Sequence, residues 1–255
     1  MEIKAKYKVE LKVKGRGHFF DVEREGMDTV RYGGVTGFLG VINKPALIPW
    51  AKREALRMVE EELRRRMKGK DKARITLNDK WIAEMLLSAK KEPDKIKDDA
   101  AEFGTQSHDY IEKIIKGEQF EVPAKFSGPV DAFKKWWVES RMEFVMAETA
   151  VASTVYKYGG KLDAVGFRDG RYILLDWKTG KGIYDEAALQ VGAYANALEE
   201  TYGIEVKEAI VVRFGKTLPI EFEVKELLDI NRSFGGFLAA KELKENLKHE
   251  HFCSF

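Results

Sequence analysis

The sequence contains a single cysteine, Cys253, close to its end. One thiol excludes a disulfide framework and any metal cluster held by four cysteines, and it makes a reducing compartment the default. Long apolar runs are missing as well. None approaches the ~18 residues needed to cross a bilayer, so no membrane partner is expected. The charged start, Met1-Glu-Ile-Lys, argues against a signal peptide, which places the expected location in the cytoplasm, that of a host cell if the protein is viral. Repeats and low-complexity linkers are absent, and so is any Gly-x-x-x-x-Gly-Lys-Ser/Thr loop, so no nucleotide cofactor is expected. The net charge is only +2, so a polyanion would have to be met by a local patch.

What remains is a chain of 255 residues with 44% hydrophobic and 34% charged side chains, enough for a soluble globular fold with a large core. Residues 2–14 alternate apolar and charged positions as a half-buried strand does. Gly15 and Gly17 turn it, and His18 to Glu23 forms a return strand. Lys4, Lys6, Lys8, Lys12 and Lys14 share one face, opposed only by Glu10. This suits a lysine-guarded sheet edge slightly better than a nucleic-acid contact. Gly33-Gly-Val-Thr-Gly-Phe-Leu-Gly40 lacks the spacing of a phosphate loop and reads as a turn and short helix.

A long helix is expected from about Ala46 to Met67. Glu60, Glu61 and Glu62 precede Arg64, Arg65 and Arg66 by four residues, an orientation that favours intrahelical pairs. Lys52, Arg53 and Arg57 are then the better candidates for phosphate contacts. Further helices are expected from Lys80 to Lys91, ended near Pro93, from Asp94 to Lys116, and from Pro129 through Trp136 and Trp137. Glu143 to Tyr158 reads as strand, Glu186 to Glu200 as a buried helix, Glu208 to Phe214 and Leu218 to Val224 as a final hairpin, and Leu227 to Lys248 as the last helix. His249-x-His251-x-Cys253 has metal-ligand character, but its terminal position makes the pattern incidental.

The most informative stretch is Gly160-Lys-Leu-Asp163 through Asp176-Trp-Lys178. Two strand-like runs flank Asp169-Gly170, a strong signal for a two-residue hairpin turn. Pairing Arg168 with Arg171 sets Asp163 opposite Asp176. Side chains alternate along a strand, so Asp176 and Lys178 share a face and Trp177 points away. The alternative is a solvated hairpin face decorated with charge. Both strands are mostly apolar, however, and opposed carboxylates in a buried sheet repel unless a cation lies between them. The pattern reads as a metal site.

Gly-x-x-Asp163, then Asp176-x-Lys178, then Gln190-x-x-x-Tyr194 resembles the PD-(D/E)XK nuclease superfamily, and within it the RecB-like exonucleases of phage type. Gly104-Thr-Gln-Ser-His108 is similar to the family's Gly-Thr-x-x-His, whose histidine is a metal ligand. Without that likeness His108, on the edge of an apolar helical stripe, reads as structural. Glu112, one turn later, could orient its ring. Glu148 stands where the family often carries an acidic residue; it could be a ligand, a water-mediated base or an ordinary strand carboxylate. Gln190 and Tyr194 share a helix face and otherwise read as a buried hydrogen-bonded pair.

The resemblance implies an α/β fold, a restriction-endonuclease-like core with a mixed central sheet flanked by helices. It divides into an N-terminal hairpin and mainly helical elaboration over residues 1–95 and a nuclease core over 96–255, or forms one compact domain. It implies Mg²⁺ or Mn²⁺ held by His108, Asp163, Asp176 and the Trp177 carbonyl, to polarise the scissile phosphate and acidify a water. Lys178 would stabilise the attacking hydroxide or the phosphoryl charge, with Gln190 and Tyr194 positioning phosphate or lysine. Some RecB-like relatives carry an iron–sulfur cluster on four cysteines, which Cys253 alone cannot hold. The implied activity is a DNA exonuclease on single strands or free ends. A structure-specific endonuclease is the alternative within the same chemistry, and a non-catalytic nucleic-acid-binding module the alternative from another class. Any coupling to ATP would come from a partner such as a helicase or recombination protein.

Overall fold

A computed structural model describes residues 3–15, 17–67, 78–216 and 221–247. The element order is β1 (Lys8–Lys14), β2 (Gly17–Glu23), β3 (Val30–Gly34), α1 (Val35–Leu39), α2 (Leu47–Met67), α3 (Asp79–Ile115), α4 (Ser127–Ser140), β4 (Glu143–Ser153), β5 (Tyr158–Arg168), β6 (Arg171–Lys178), α5 (Asp185–Tyr202), β7 (Glu208–Phe214), β8 (Phe222–Glu226) and α6 (Ile230–Asn246). Residues 217–220, where the last expected strand was to begin, lie outside the described residues, as does the His249-x-His251-x-Cys253 pattern.

The strands form one mixed sheet in the order β1-β2-β3-β5-β6-β7-β8, with β4 added along β5. The Asp169-Gly170 turn forms as expected. Both residues have positive φ, 51° and 77°, and Arg168 faces Arg171. Positive φ at both central positions matches the right-handed twist of the flanking strands, and asparagine, aspartate and glycine tolerate it best. β6 runs parallel to β7, with Asp176 beside Val211 and Lys178 beside Arg213.

β5 is the strand on which the sheet turns. One edge pairs with β4 along nearly its whole length. The other edge pairs with β3 at Tyr158 and Gly159, and with β6 from Ala164 to Arg168. Between Gly159 and Ala164 that second edge carries no ladder pair, so β3 and β6 diverge there as the arms of a fork. Asp163 sits in the fork.

Each face of the sheet builds its own core. Leu162, Val165, Leu174 and Val211 pack with Val191, Tyr194 and Leu198 of α5 and Phe237 of α6. On the other face, Ile173, Leu175, Trp177, Val212 and Phe214 pack with Phe133 and Trp136 of α4 and Ile111 of α3. Trp177 therefore points away from the α5 side, as strand alternation requires. Trp136 is buried at 3% exposure while Trp137 stays half-buried, donating its indole N–H to the Met142 carbonyl at 2.8 Å.

Three features depart from the expectations. The two helices expected on either side of Pro93 are one helix, α3, of 37 residues. Proline's fixed φ is helical, so a long helix loses one hydrogen bond there and crowds the carbonyl four residues back without ending. The glycine-rich stretch contributes a strand, β3, before its short helix, and β1 to β3 join the central sheet itself rather than an elaboration. By contact the chain divides into residues 1–42 with 106–255, and residues 43–105, so the boundary expected near residue 95 falls inside α3.

The smaller unit holds α2 and the first part of α3, which begins with the Trp81 N–H bonded to the Asn78 side chain at 2.8 Å. On α2, Arg64 pairs with Glu60, Arg65 with Glu62, and Arg57 with both Glu54 and Glu61. In the larger unit β1 is an edge strand. Lys8 pairs there with Glu23 and Lys12 with Glu10, as a guarded edge would have it.

Gly160 is a close-approach glycine: a Cβ there would lie 2.3 Å from the Tyr194 ring. That ring is 4% exposed and cannot swing aside cheaply. Gly160→Ala is expected to lower stability to urea by about 1–3 kcal/mol through overpacking. Gly37→Ala, which meets nothing within 4 Å, should stay within about 0.5 kcal/mol of the parent.

Candidate metal-dependent active site

The fork exposes the backbone of β6 to β5, and Asp163 fills the place of a ladder bond. Its Oδ2 accepts the Trp177 N–H at 2.6 Å. The register is the expected one, but the ladder stops at Ala164 and Leu175, one position short of Asp163 and Asp176. Across the other edge, Glu148 lies between the pairs Ala147–Ala164 and Thr149–Leu162, opposite Asp163. Its φ is 47°. A left-handed glutamate within a strand costs of order 1–3 kcal/mol and persists only where its surroundings hold it. Here it brings the carboxylate, 10% exposed, into the fork.

α3 delivers His108 to the same place, with Nδ1 3.3 Å from Asp163 Oδ1 and 3.8 Å from Glu148 Oε1. One ligand atom from each of His108, Glu148 and Asp163 lies within 4.8 Å of the others. Glu112 does not orient His108, because it is taken by Lys116 at 2.6 Å one turn along the helix. Carboxylates from β4 and β5 meet the imidazole instead.

Asp176, 1% exposed, stands on the α5 side. Neither of its oxygens accepts a well-directed hydrogen bond, although Lys178 Nζ lies 2.6 Å from Oδ2. The same ammonium donates to Gln190 Oε1 at 3.2 Å, and Gln190 Nε2 donates to Tyr194 Oη at 2.9 Å. The spacing of four on α5 thus works as a relay that fixes the lysine. Lys161 adds a second cation, with Nζ 2.5 Å from Glu148 Oε2. Sequence reasoning missed Lys161; its position two residues before Asp163 on one strand was the available signal.

These charges shift one another. Burial pushes Asp176 up to about 6, with Asp163 adding to it, against the pull of Lys178. Burial and the Asp163 charge raise Glu148 despite Lys161. Burial would raise Asp163 too, but His108, Lys178 and the Trp177 N–H hold it below the usual carboxylate range. Burial disfavours charge on His108 and Lys178, yet the carboxylates outweigh it and both pKa values are raised. Three carboxylates, Asp163, Asp176 and Glu148, thus share one small volume with Lys178, Lys161 and the His108 imidazole.

Lys52, Arg53 and Arg57 are exposed on α2, in the smaller unit, and Arg57 is engaged by two glutamates.

Among solved structures, the fold is similar to that in "Crystal structure of SSO0001", at TM-score 0.37 and 15% identity over 78% of this chain and 86% of that one. It is similar also to an alkaline exonuclease, LHK-Exo, from Laribacter hongkongensis, at TM-score 0.28 and 16% identity over 55% of this chain and 82% of that one. The same exonuclease in complex with dAMP gives TM-score 0.26 and 15% identity over the same shares. No curated protein matches the chain in sequence. The model of the PD-(D/E)XK nuclease superfamily matches residues 49–250, most of the chain, and spans every side chain gathered at the fork. With its mixed sheet flanked by helices, of the restriction-endonuclease-like kind, the chain belongs to the PD-(D/E)XK nuclease superfamily.

Proposed function

We propose that the protein is a divalent-metal-dependent deoxyribonuclease, hydrolysing phosphodiester bonds as an exonuclease on single strands or free DNA ends. The observation that carries the metal-dependent reading is the convergence of His108, Glu148 and Asp163 beside Asp176, a buried carboxylate that accepts no well-directed hydrogen bond although Lys178 Nζ lies 2.6 Å from its Oδ2. Carboxylates gathered out of water are stabilised most directly by a further cation. One imidazole nitrogen among carboxylate oxygens suits Mg²⁺ and suits Mn²⁺ better. His108, Asp163, Asp176 and the Trp177 carbonyl would hold the ion, with Glu148 as a further carboxylate at its edge. The exonuclease mode rests on the RecB-like order of the motifs.

When bound, such a cation supplies charge against a phosphoryl oxygen and acidifies water. The remaining work falls to side chains. The raised pKa keeps Lys178 an ammonium at neutral pH, so it serves as a donor to developing phosphoryl charge and not as a proton acceptor. Asp176 and Gln190 Oε1 fix where that ammonium points, and Tyr194 fixes the Gln190 amide. Asp163 holds the β6 backbone at Trp177 and orients His108.

Asp163→Ala and Asp176→Ala should each lower cleavage of a linear single-stranded oligonucleotide about 100-fold or more, with oligonucleotide binding largely kept. Near-parent turnover in either variant contradicts the site. On a gel, linear single-stranded DNA with Mn²⁺ should be degraded while a single-stranded circle persists. Opening of the circle would give the endonuclease reading, and no cleavage of either would leave the binding module.

Protons compete with the cation for Asp176 and His108, whose pKa values are raised. Both groups are substantially protonated at pH 5.5, and each proton displaced makes the affinity up to about tenfold weaker per pH unit below its pKa. Mn²⁺ binding by calorimetry should therefore tighten from pH 5.5 to 8 and release protons. In His108→Ala the affinity should fall and the pH dependence flatten; affinity equal to the parent's in that folded variant would return His108 to a packing role.

A further inference from the structure

The sheet register carries positive charge away from the fork. Residues paired across neighbouring strands point to the same face. Lys178 on β6 pairs with Arg213 on β7, Arg213 pairs with Glu223 on β8, and Val211, beside Asp176, pairs with Lys225. Lys178, Arg213 and Lys225 thus lie on the α5 side of the sheet, Lys225 beside the middle of β7 and the other two at the carboxyl ends of the parallel strands β6 and β7. Ligands of open α/β sheets bind at that end. With strands about 4.8 Å apart, and Lys225 two residues along β8 from the Glu223 that faces Arg213, the three cations span roughly 10–12 Å from Lys178, suited to two or three successive phosphates.

Arg213 is oriented for such a role. Its Nε donates to Glu223 Oε2 at 2.9 Å, which fixes the guanidinium plane and leaves its terminal N–H groups without a described partner. Lys225 Nζ donates to the Ile183 carbonyl at 3.2 Å and so ties the segment following Lys178 beside the row. That segment ends at Tyr184, whose side chain is an exposed aromatic at 62%. Next to it, a cavity of about 340 Å³ is walled by Val211 and Leu228 and carries Lys225 and Arg232 against Asp185, Glu226 and Asp229. A lining with more carboxylates than cations, beside an apolar wall, suits a base better than a phosphate. The carboxylates can accept from base amino groups, and the tyrosine ring can stack.

We propose that Lys178, Arg213 and Lys225 form a phosphate track for one strand of nucleic acid leaving the catalytic carboxylates, with Tyr184 and the adjoining cavity receiving a base. The track rests on the nuclease reading for its starting point and adds the direction in which the substrate strand runs, across β7 and β8 towards the sheet edge.

The test is binding of a fluorescein-labelled 20-nucleotide oligothymidylate by anisotropy, in Ca²⁺, at several salt concentrations. Arg213→Gln and Lys225→Gln should each weaken binding and each reduce the slope of log affinity against log salt by about 0.7–1. Tyr184→Ala should weaken it about 5- to 100-fold, and Tyr184→Phe should restore it. Lys157→Gln, in the turn between β4 and β5, should change neither quantity. Because Arg213→Gln removes an ion pair, melting curves accompany it, and Lys225→Gln carries the test if that variant does not fold. Parent-like slopes in folded Lys225→Gln, or in Arg213→Gln, overturn the track. If the parent protein binds the oligonucleotide along this row but does not cleave it in Mn²⁺, the nuclease reading fails and the track stands. If the parent protein does not bind it, the track fails.

Discussion

Burying carboxylates in a sheet is the constraint on which the rest of this structure depends. Asp163 and Glu148, at 13% and 10% side-chain exposure, meet where β3 and β6 part along β5, with Asp176 at 1% on the neighbouring strand. Bringing like charges together out of water opposes folding, and the chain answers with Lys178, Lys161, His108 and a backbone N–H. That compensation is incomplete at Asp176, whose oxygens lack directed donors. A fold keeps such a defect where the missing charge comes from a ligand.

The scaffold around the fork serves to hold it rigid. Behind β6, the Trp177 ring packs edge-on against Trp136 and Phe133, with centroids at 5.2 and 5.8 Å, so the strand that carries Asp176 and Lys178 has a fixed back. In front, Tyr194 settles onto Gly160 and passes its position through Gln190 to Lys178. At the far end of β4 and β5, the Glu200 carboxylate accepts from Ser153 Oγ and from the Thr154 N–H, which secures the turn between these two strands. Three separate packings therefore converge on side chains only a few ångströms apart, the rigidity that the proposed chemistry would need.

Legibility in the sequence followed the range of the interaction. Asp169-Gly170 specified a turn locally, and the turn then fixed the register that set Asp163 near Asp176. The spacing of Gln190 and Tyr194 is a property of one helix and was readable for the same reason. Pro93 misled because a proline's local penalty was outweighed by a long helix around it. β3 was hidden in a glycine-rich stretch whose strand character arises only from pairing with β2 and β5. Glu148 and Lys161 were the hardest to read. Their meeting depends on a left-handed residue in β4 lying across from Asp163, a cross-strand feature that composition and periodicity do not encode.

The central claim is that the carboxylates and imidazole gathered at the fork are the seat of a divalent cation. Anomalous diffraction at the manganese edge, from crystals equilibrated with Mn²⁺, measures this directly. The account predicts a peak about 2.0–2.4 Å from ligand atoms of His108, Asp163 and Asp176. A fork without a peak, in crystals where Mn²⁺ is bound at other carboxylates, would contradict it.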